Sequence, residues 1–327
     1  MRVFIIGGTG FLGYYTVREL LARGHSVSTI ALDPLPPSDP MPPEVQVRIA
    51  NFNKLSDDEV LAMLEGVEGI IYAAGVDDRV VPKRPAYPFF YRGNVLPAQR
   101  LARLARQAGV RHLVVFNSYF STMARRWPEL ELEEKHPYIR SRVEQIAAVN
   151  AEAGDSLVAS YLMLPYIFGY VPGKAPIWTP VISYLRSAFP LVFYPAGGSA
   201  MVSVQEVASA AVRALESGRP GAEYEISTEN LTWVQWLERL MQILGRQKSI
   251  LTLSKWLVKF GMSFVKLNFL FKGQEGGLNP IPFVELQTRN SFLDGEGTRA
   301  ELGYPQGDLE TALRETVEAS LAWKKKA

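Results

Sequence analysis

The chain has 327 residues, 47% of them hydrophobic, which suits one large or two joined globular domains with ample core. Its net charge of +2 gives no special attraction to nucleic acid, so no nucleic-acid partner is expected. There is no cysteine, which excludes disulfides, thiolate metal sites and cysteine nucleophiles, and the three histidines (His25, His112 and His136) are too scattered for a metal-ligand pattern.

The chain opens on a short apolar strand, Val3 to Ile6, followed by Gly7-Gly8-Thr9-Gly10-Phe11-Leu12-Gly13 and an apolar-periodic helix that Gly24 stops. In such a strand–turn–helix, one glycine makes the sharp turn. A second lets a pyrophosphate approach, and a third lets helix and strand pack closely. The helix start then offers free N–H groups to phosphate. A second strand, Ser26 to Leu32, ends in Asp33, twenty residues after Gly13. A carboxylate there can accept from ribose hydroxyls and repel a 2′-phosphate, so NAD is expected over NADP.

A loop with six prolines from Pro34 to Pro43 follows, near the expected adenosine end. Val45 to Ala50 reads as strand three, with Asn51-Phe52 after it. Ser56 caps a helix with an acidic first turn that runs to about Leu64. Strand four, Gly69 to Ala74, ends in the small run Ala73-Ala74-Gly75, which leaves room for a ligand at the sheet edge. A loop from Val76 to Pro88 leads to a helix from Asn94 to about Gln107. Strand five, His112 to Phe116, ends in Asn117-Ser118. A loop with the acidic cluster Glu129 to Glu134 precedes a helix beginning at Tyr138. Strand six, Leu157 to Leu164, stops at Pro165. This alternation predicts an α/β fold with a doubly wound parallel (Rossmann) sheet.

Beyond Pro165, Pro180 to Ala188 reads as helix, Leu191 to Tyr194 as strand, and Gln205 to Glu216 as an amphipathic helix. Glu223 to Ser227 reads as a short strand, and Thr232 to Leu244 as a helix whose Trp233 and Trp236 belong to the core. The apolar stretch Trp256 to Phe271, interrupted by Lys259, Lys266 and Asn268, falls short of a membrane span. It is read as a buried helix or oligomer contact in preference to a lid or a membrane-surface helix. Lys324-Lys325-Lys326 reads as a solvated tail. With a strand at the very start and no apolar signal segment before it, a cytoplasmic location is expected.

Assembled, these pieces resemble the extended short-chain dehydrogenase/reductase family, in its NAD-dependent epimerase/dehydratase branch. The matching residues are Gly7-x-x-Gly10-x-x-Gly13, Asp33, Ala73-Ala74-Gly75, Asn94-Val95, Asn117-Ser118, Tyr138-x-x-Ser141-Arg142 and Leu164-Pro165-Tyr166-Ile167-Phe168-Gly169. The segments Val202 to Ala208 and Ala300 to Tyr304 match as well. The resemblance implies a Rossmann domain over residues 1–165, to which a segment at about 200–228 returns, and a smaller α+β substrate-binding or lid domain over 166–327. It implies that Gly7, Thr9, Gly10, Phe11, Leu12 and Gly13 cradle the pyrophosphate, that Asp33 holds the ribose and that Asn51 and Phe52 flank adenine. Ala73, Ala74, Gly75, Asn94, Pro165 and Ile167 would complete the cofactor site. It gives Ser118 the substrate oxygen and makes Tyr138 the acid/base. Arg142 stands where the family usually has the lysine that binds the nicotinamide ribose.

Hydride transfer at a carbon bearing oxygen needs a matched proton transfer, and a free tyrosine, with a pKa of about 10, needs a cation to become a base. Tyr138 and Arg142 are four apart on a helix and share a face. Arginine keeps the charge but cannot relay a proton. Lys135, in the preceding loop, is not counted as a substitute. Arg289 is a candidate for a substrate phosphate or a solvated loop residue. The expected reaction is oxidation or epimerisation of a carbinol on a small molecule, a sugar nucleotide being the family's prior. A reductase of a small or apolar carbonyl compound and a dinucleotide-binding scaffold are the alternatives. Relatives often form homodimers through the helices after strands four and five.

Overall fold

The computed structural model describes residues 1–326. The side chains of Lys324, Lys325 and Lys326, read as a solvated tail, lie outside the described set. The strands in chain order are β1 (Arg2–Ile6), β2 (Ser26–Ala31), β3 (Gln46–Ile49), β4 (Gly69–Tyr72), β5 (His112–Ser118), β6 (Val158–Leu164) and β7 (Tyr166–Phe168). They continue as β8 (Leu191–Pro195), β9 (Gly198–Ser203), β10 (Glu223–Glu225), β11 (Glu229–Thr232), β12 (Ser249–Leu253) and β13 (Asn290–Ser291).

Seven of them form one sheet in the order β10-β6-β5-β4-β1-β2-β3, every adjacent pair parallel. The order reverses direction at β1 and β4, and a crevice opens at the carboxyl ends of the strands there. Both faces are covered. One carries the helices Asp57–Leu64, Leu96–Gln107 and Pro137–Ala153, with Leu64, Leu101, Leu104 and Val149 fully buried. The other carries Phe11–Ala22 and Val204–Ser217, with Val17, Leu20, Val207 and Leu215 buried. Strands covered on both faces run nearly continuously apolar, as β4 (Gly-Ile-Ile-Tyr, all buried) does.

Local chemistry fixes several boundaries. Ser56 accepts from Glu59 N while Glu59 accepts from Ser56 N, a capping box that opens the Asp57–Leu64 helix. Thr232 and Gln235 do the same for Trp233–Ile243, whose Trp233 and Trp236 are buried, as the sequence implied. The helix before β5 starts earlier than read, as a turn at Tyr87–Phe90 that runs through a wide turn at Tyr91–Val95. The acidic stretch read as loop contains two short helical turns, Pro128–Leu130 and Leu132–Lys135.

The remaining strands make two small sheets, β11-β9-β13 with β7 on β9, and β12 with β8. Glu206, fully buried at the start of its helix, pairs with Arg299 at 2.9 Å and accepts from Gly307 N at 2.9 Å, tying down the late segment around the Gly295–Leu302 helix. No helix among the described residues is long and apolar enough to cross a membrane. The stretch Trp256 to Phe271 was expected to be a buried helix or an oligomer contact, and the first of these fails. The Lys255–Phe271 helix contains no buried residue, so it is not a core helix. Its apolar content predicted burial, but it packs beside Pro280–Gln287 with its aromatic side outward.

Candidate active site

The glycine turn is built as its sequence requires. Gly7 has φ +96°, and a Cβ on it would fall 2.8 Å from Ala73 O. A Cβ on Gly13 would fall 2.1 Å from Gly7 O, so only glycine lets the Phe11–Ala22 helix lie this close to β1. The helix starts at Gly10 without a side-chain cap. Among the described residues no backbone acceptor closes the amides of Phe11 and Leu12. These are open donors at a positive helix end, which suits a phosphate. Thr9 Oγ1 donates to Asp33 O at 2.7 Å, locking the Asp33 turn against the glycine turn and leaving the Asp33 side chain exposed.

Facing this turn is a cavity of about 520 Å³. Phe11, Leu12, Ala73, Ala74, Gly75, Ser118, Tyr138, Arg142, Pro165 and Ile167 all line it. Residues read from five separate stretches of sequence therefore share one wall. Gly7, Thr9, Gly10, Gly13, Asp33 and Asn51 are not part of its lining.

Ser118 ends β5 and caps the Tyr119–Arg126 helix, accepting from Phe120 N at 3.3 Å. Tyr138 stands in the first turn of Pro137–Ala153, its ring edge-on to Phe90 and Phe120. Arg142 is one turn on, almost wholly buried, with Nη2 donating to Phe116 O and Cζ 5.9 Å from the Tyr138 ring centre. Its Nε is buried without a partner beside the cavity. An orphaned donor at that place fits a ribose hydroxyl. Together with the open helix amides, it shows that these residues suit a dinucleotide.

Burial pushes the Tyr138 phenol up to about 12. The Arg142 guanidinium pulls the other way, Asp78 and Asp77 add to the rise, and the Ser118 hydroxyl lowers it. The proton is therefore held firmly at neutral pH. Lys135 pairs with Glu131 and donates to Leu130 O, away from the cavity, in keeping with its exclusion as a substitute.

Two residues assigned to the cofactor stand outside the cavity lining. The Phe52 ring is buried in the core with Arg100 over it at 5.3 Å. Asn94 is fully buried behind the cavity. Its Oδ1 accepts from Val76 N at 2.7 Å, and its Nδ2 donates to Val76 O and Ser141 Oγ. It fixes the Gly75–Val76 turn. Asn51 spends its side chain on Asn53 N. Arg289 bonds Glu129 at 2.6 Å and lies 5.1 Å from the Trp127 ring, outside the cavity lining.

The loop after β4 supplies residues that the sequence reading missed. Asp77, Asp78 and Arg79 all line the cavity. Asp77 pairs with Arg79 at 2.6 Å, which holds its carboxyl below the usual range although burial opposes this. Burial and the Asp77 charge push Asp78 up to about 6. The adjacent Asp-Asp-Arg at a strand's carboxyl end was the available signal. Gln145 was missed as well. It takes Asn117 Nδ2 at 3.0 Å and donates to Asn94 O at 2.7 Å, clamping the catalytic helix to β5. The chain past residue 273 also reaches the site, where Gly277 O accepts from Tyr138 N at 3.0 Å and Leu278 and Phe283 line the cavity.

A parallel sheet with a glycine turn at its switch point, and a serine, tyrosine and cation across one cavity, define a dinucleotide-dependent oxidoreductase of the short-chain type. A model of the NAD dependent epimerase/dehydratase family matches residues 3–227, and the chain belongs to that family of enzymes. Among its relatives is a 3-diazoavenalumate denitrifying reductase of a Streptomyces species, 26% identical over 75% of this chain and 82% of that protein. Similar solved structures include the UDP-glucuronic acid 4-epimerase of Bacillus cereus in complex with NAD (TM-score 0.70, 13% identity, 99% of each chain). Another is the dTDP-glucose 4,6-dehydratase DesIV of Streptomyces venezuelae with NAD bound (TM-score 0.68, 18% identity, 100% of this chain and 98% of that one).

Proposed function

We propose that the protein binds NAD across the crevice at β1 and β4 and moves a hydride between the nicotinamide and a carbinol or carbonyl carbon held in the cavity. The observation that carries this reading is the shared wall: Phe11 and Leu12 of the phosphate turn line the same cavity as Ser118, Tyr138 and Arg142. When bound, NAD supplies the hydride acceptor, and the chain supplies everything else. The open amides of Phe11 and Leu12 hold the pyrophosphate. The exposed carboxylate of Asp33 takes the adenosine ribose and disfavours NADP. Arg142 offers Nε to the nicotinamide ribose and its charge to the phenolate.

Ser118 Oγ and Tyr138 Oη hold the reacting oxygen between them. In oxidation the substrate hydroxyl gives its proton to Tyr138; in reduction Tyr138 gives it back. With the phenol near 12, Tyr138 is loaded as a donor at neutral pH, which favours the reductive direction. Arg142 tunes that proton but never carries it.

The names of the solved relatives point to sugar nucleotides, and that substrate class is the first to test. A specific observation supports a second class, apolar ring-bearing carbonyl compounds. Tyr119, Phe120, Tyr166, Trp178 and Phe283 line the cavity, and its cations are Arg79, paired to Asp77, and Arg142, buried on Phe116 O. Such a lining offers little to a second diphosphate. We take residues 1–165, with about 200–228, as the cofactor domain and the remainder as the substrate domain, and a homodimer as the assembly. Calorimetry with a panel of nucleotide sugars and aromatic ketones, in the presence of NAD, separates the two classes. Loss of turnover in Tyr138→Phe with NAD affinity kept is expected, and full turnover in that variant would sink the mechanism.

A further inference from the structure

The Lys255–Phe271 helix is turned inside out. Residues at i, i+4, i+8, i+11 and i+15 share one stripe of a helix. Here they are Trp256, Phe260, Phe264, Leu267 and Phe271, all exposed, from 46% for Leu267 to 82% for Phe271. Lys255 and Lys259 stand off this stripe, half-exposed, and reach Glu285 at 2.8 and 2.5 Å. A helix bathed in water turns its apolar stripe toward the core, and this one turns it outward. An aromatic stripe of this size marks a surface that something covers.

We propose that this stripe docks on the surface of an anionic lipid bilayer, the helix lying in the plane of the interface. Charge selects a bilayer as the occupant. From Lys255 to Lys272 there are four lysines and no acidic residue. At the helix end, Lys272 is joined by Lys83 and Arg84: Lys83 bridges to Gln274, and Arg84 N donates to Gly273 O at 3.0 Å. Lys266 lines a small cleft together with Arg84. Among the described residues, these four cations make no ion pair, and the adjoining acid, Glu275, is turned inward onto Ala86 N. Aromatic rings on one face with basic groups at the margin match an acyl–headgroup boundary carrying negative charge. The chain leaving this helix then accepts from Tyr138 N through Gly277 O, so the docking face and the cavity wall are one continuous segment. The inference goes beyond the reaction proposed above and does not depend on it.

The test is co-sedimentation of the full chain with phosphatidylcholine vesicles, with and without phosphatidylglycerol, alongside NAD affinity and light scattering. The expected result is sedimentation with the anionic vesicles that salt weakens, and a blue shift of tryptophan emission as Trp256 enters the interface. In the double variant Phe260→Ser with Phe264→Ser, partition falls by about tenfold or more while NAD affinity and melting temperature hold. Failure to sediment with either vesicle overturns the proposal, as does sedimentation that the double variant leaves unchanged. A dimer that ignores vesicles and splits in the double variant also overturns it, assigning the stripe to a second copy.

Discussion

Replacing Arg142 with methionine isolates the electrostatic part of the mechanism. The guanidinium carbon lies 5.9 Å from the Tyr138 ring centre, in a buried setting. At that separation and an effective dielectric of about 20, the charge stabilises a phenolate by about 3 kcal/mol, or about 2 pKa units. Its loss drives the phenol further above its present value of about 12. Alcohol oxidation, which needs the phenolate, should fall about 100-fold at neutral pH. Carbonyl reduction, which starts from the neutral phenol, should fall far less. Cofactor affinity should weaken by about five- to tenfold as the Nε donor disappears. The assay follows nicotinamide absorbance in both directions across pH, with NAD affinity measured separately. A melting curve checks that the Phe116 carbonyl, left without Nη2, has not cost the fold more than about 3 kcal/mol. Equal losses in the two directions, or an unmoved pH profile, would refute the reasoning and reduce Arg142 to a ribose contact.

Three further predictions rest on other parts of the molecule. Gly13→Ala places a Cβ 2.1 Å from Gly7 O and should destabilise the protein by about 1–3 kcal/mol, with NAD binding largely lost, read by thermal melt and calorimetry. Asp33→Ala removes an exposed carboxylate, so the melting temperature should hold while the preference for NAD over NADP narrows by about tenfold; an unchanged preference would take the ribose role away from Asp33. Glu216 is held at about 2. Burial raises it, but bonds from Arg23, His25 and Arg213 more than reverse this. Because its folded value lies below the unfolded one of about 4.5, its contribution to stability is full above that pH and lost as pH falls toward 2. Glu216→Gln should therefore lower the melting temperature at neutral pH and converge with the parent in acid. Exposure of the cluster keeps the effect modest.

The residues legible in the sequence are those whose chemistry is local. Gly7 and Gly13 are forced by a positive φ and a close backbone approach, so the turn could be read from the chain alone. Ser56 announced its helix because a capping box is a four-residue device. Tyr138 and Arg142 could be paired because four residues are one turn. What escaped depends on where distant segments land. Asp78 became a site residue only when the β4 loop folded over the cavity, and Gln145 only when its helix met β5. Hydrophobicity in Trp256 to Phe271 reported that the stretch avoids water, but it could not say what would cover it. Phe52 and Asn94 were placed by family likeness, and the burial of both side chains could not be read from the chain.

The place of β10 in the main sheet has a consequence for biosynthesis. β6, whose residues are mostly buried, gets its outer neighbour from Glu223–Glu225, some sixty residues further along the chain. During translation the nascent chain therefore carries an unpaired apolar edge until that stretch has cleared the ribosome. A fragment ending after β6 should aggregate, and adding back residues up to the end of β10 should restore solubility, because only then are that edge and the sheet face under Val204–Ser217 both closed.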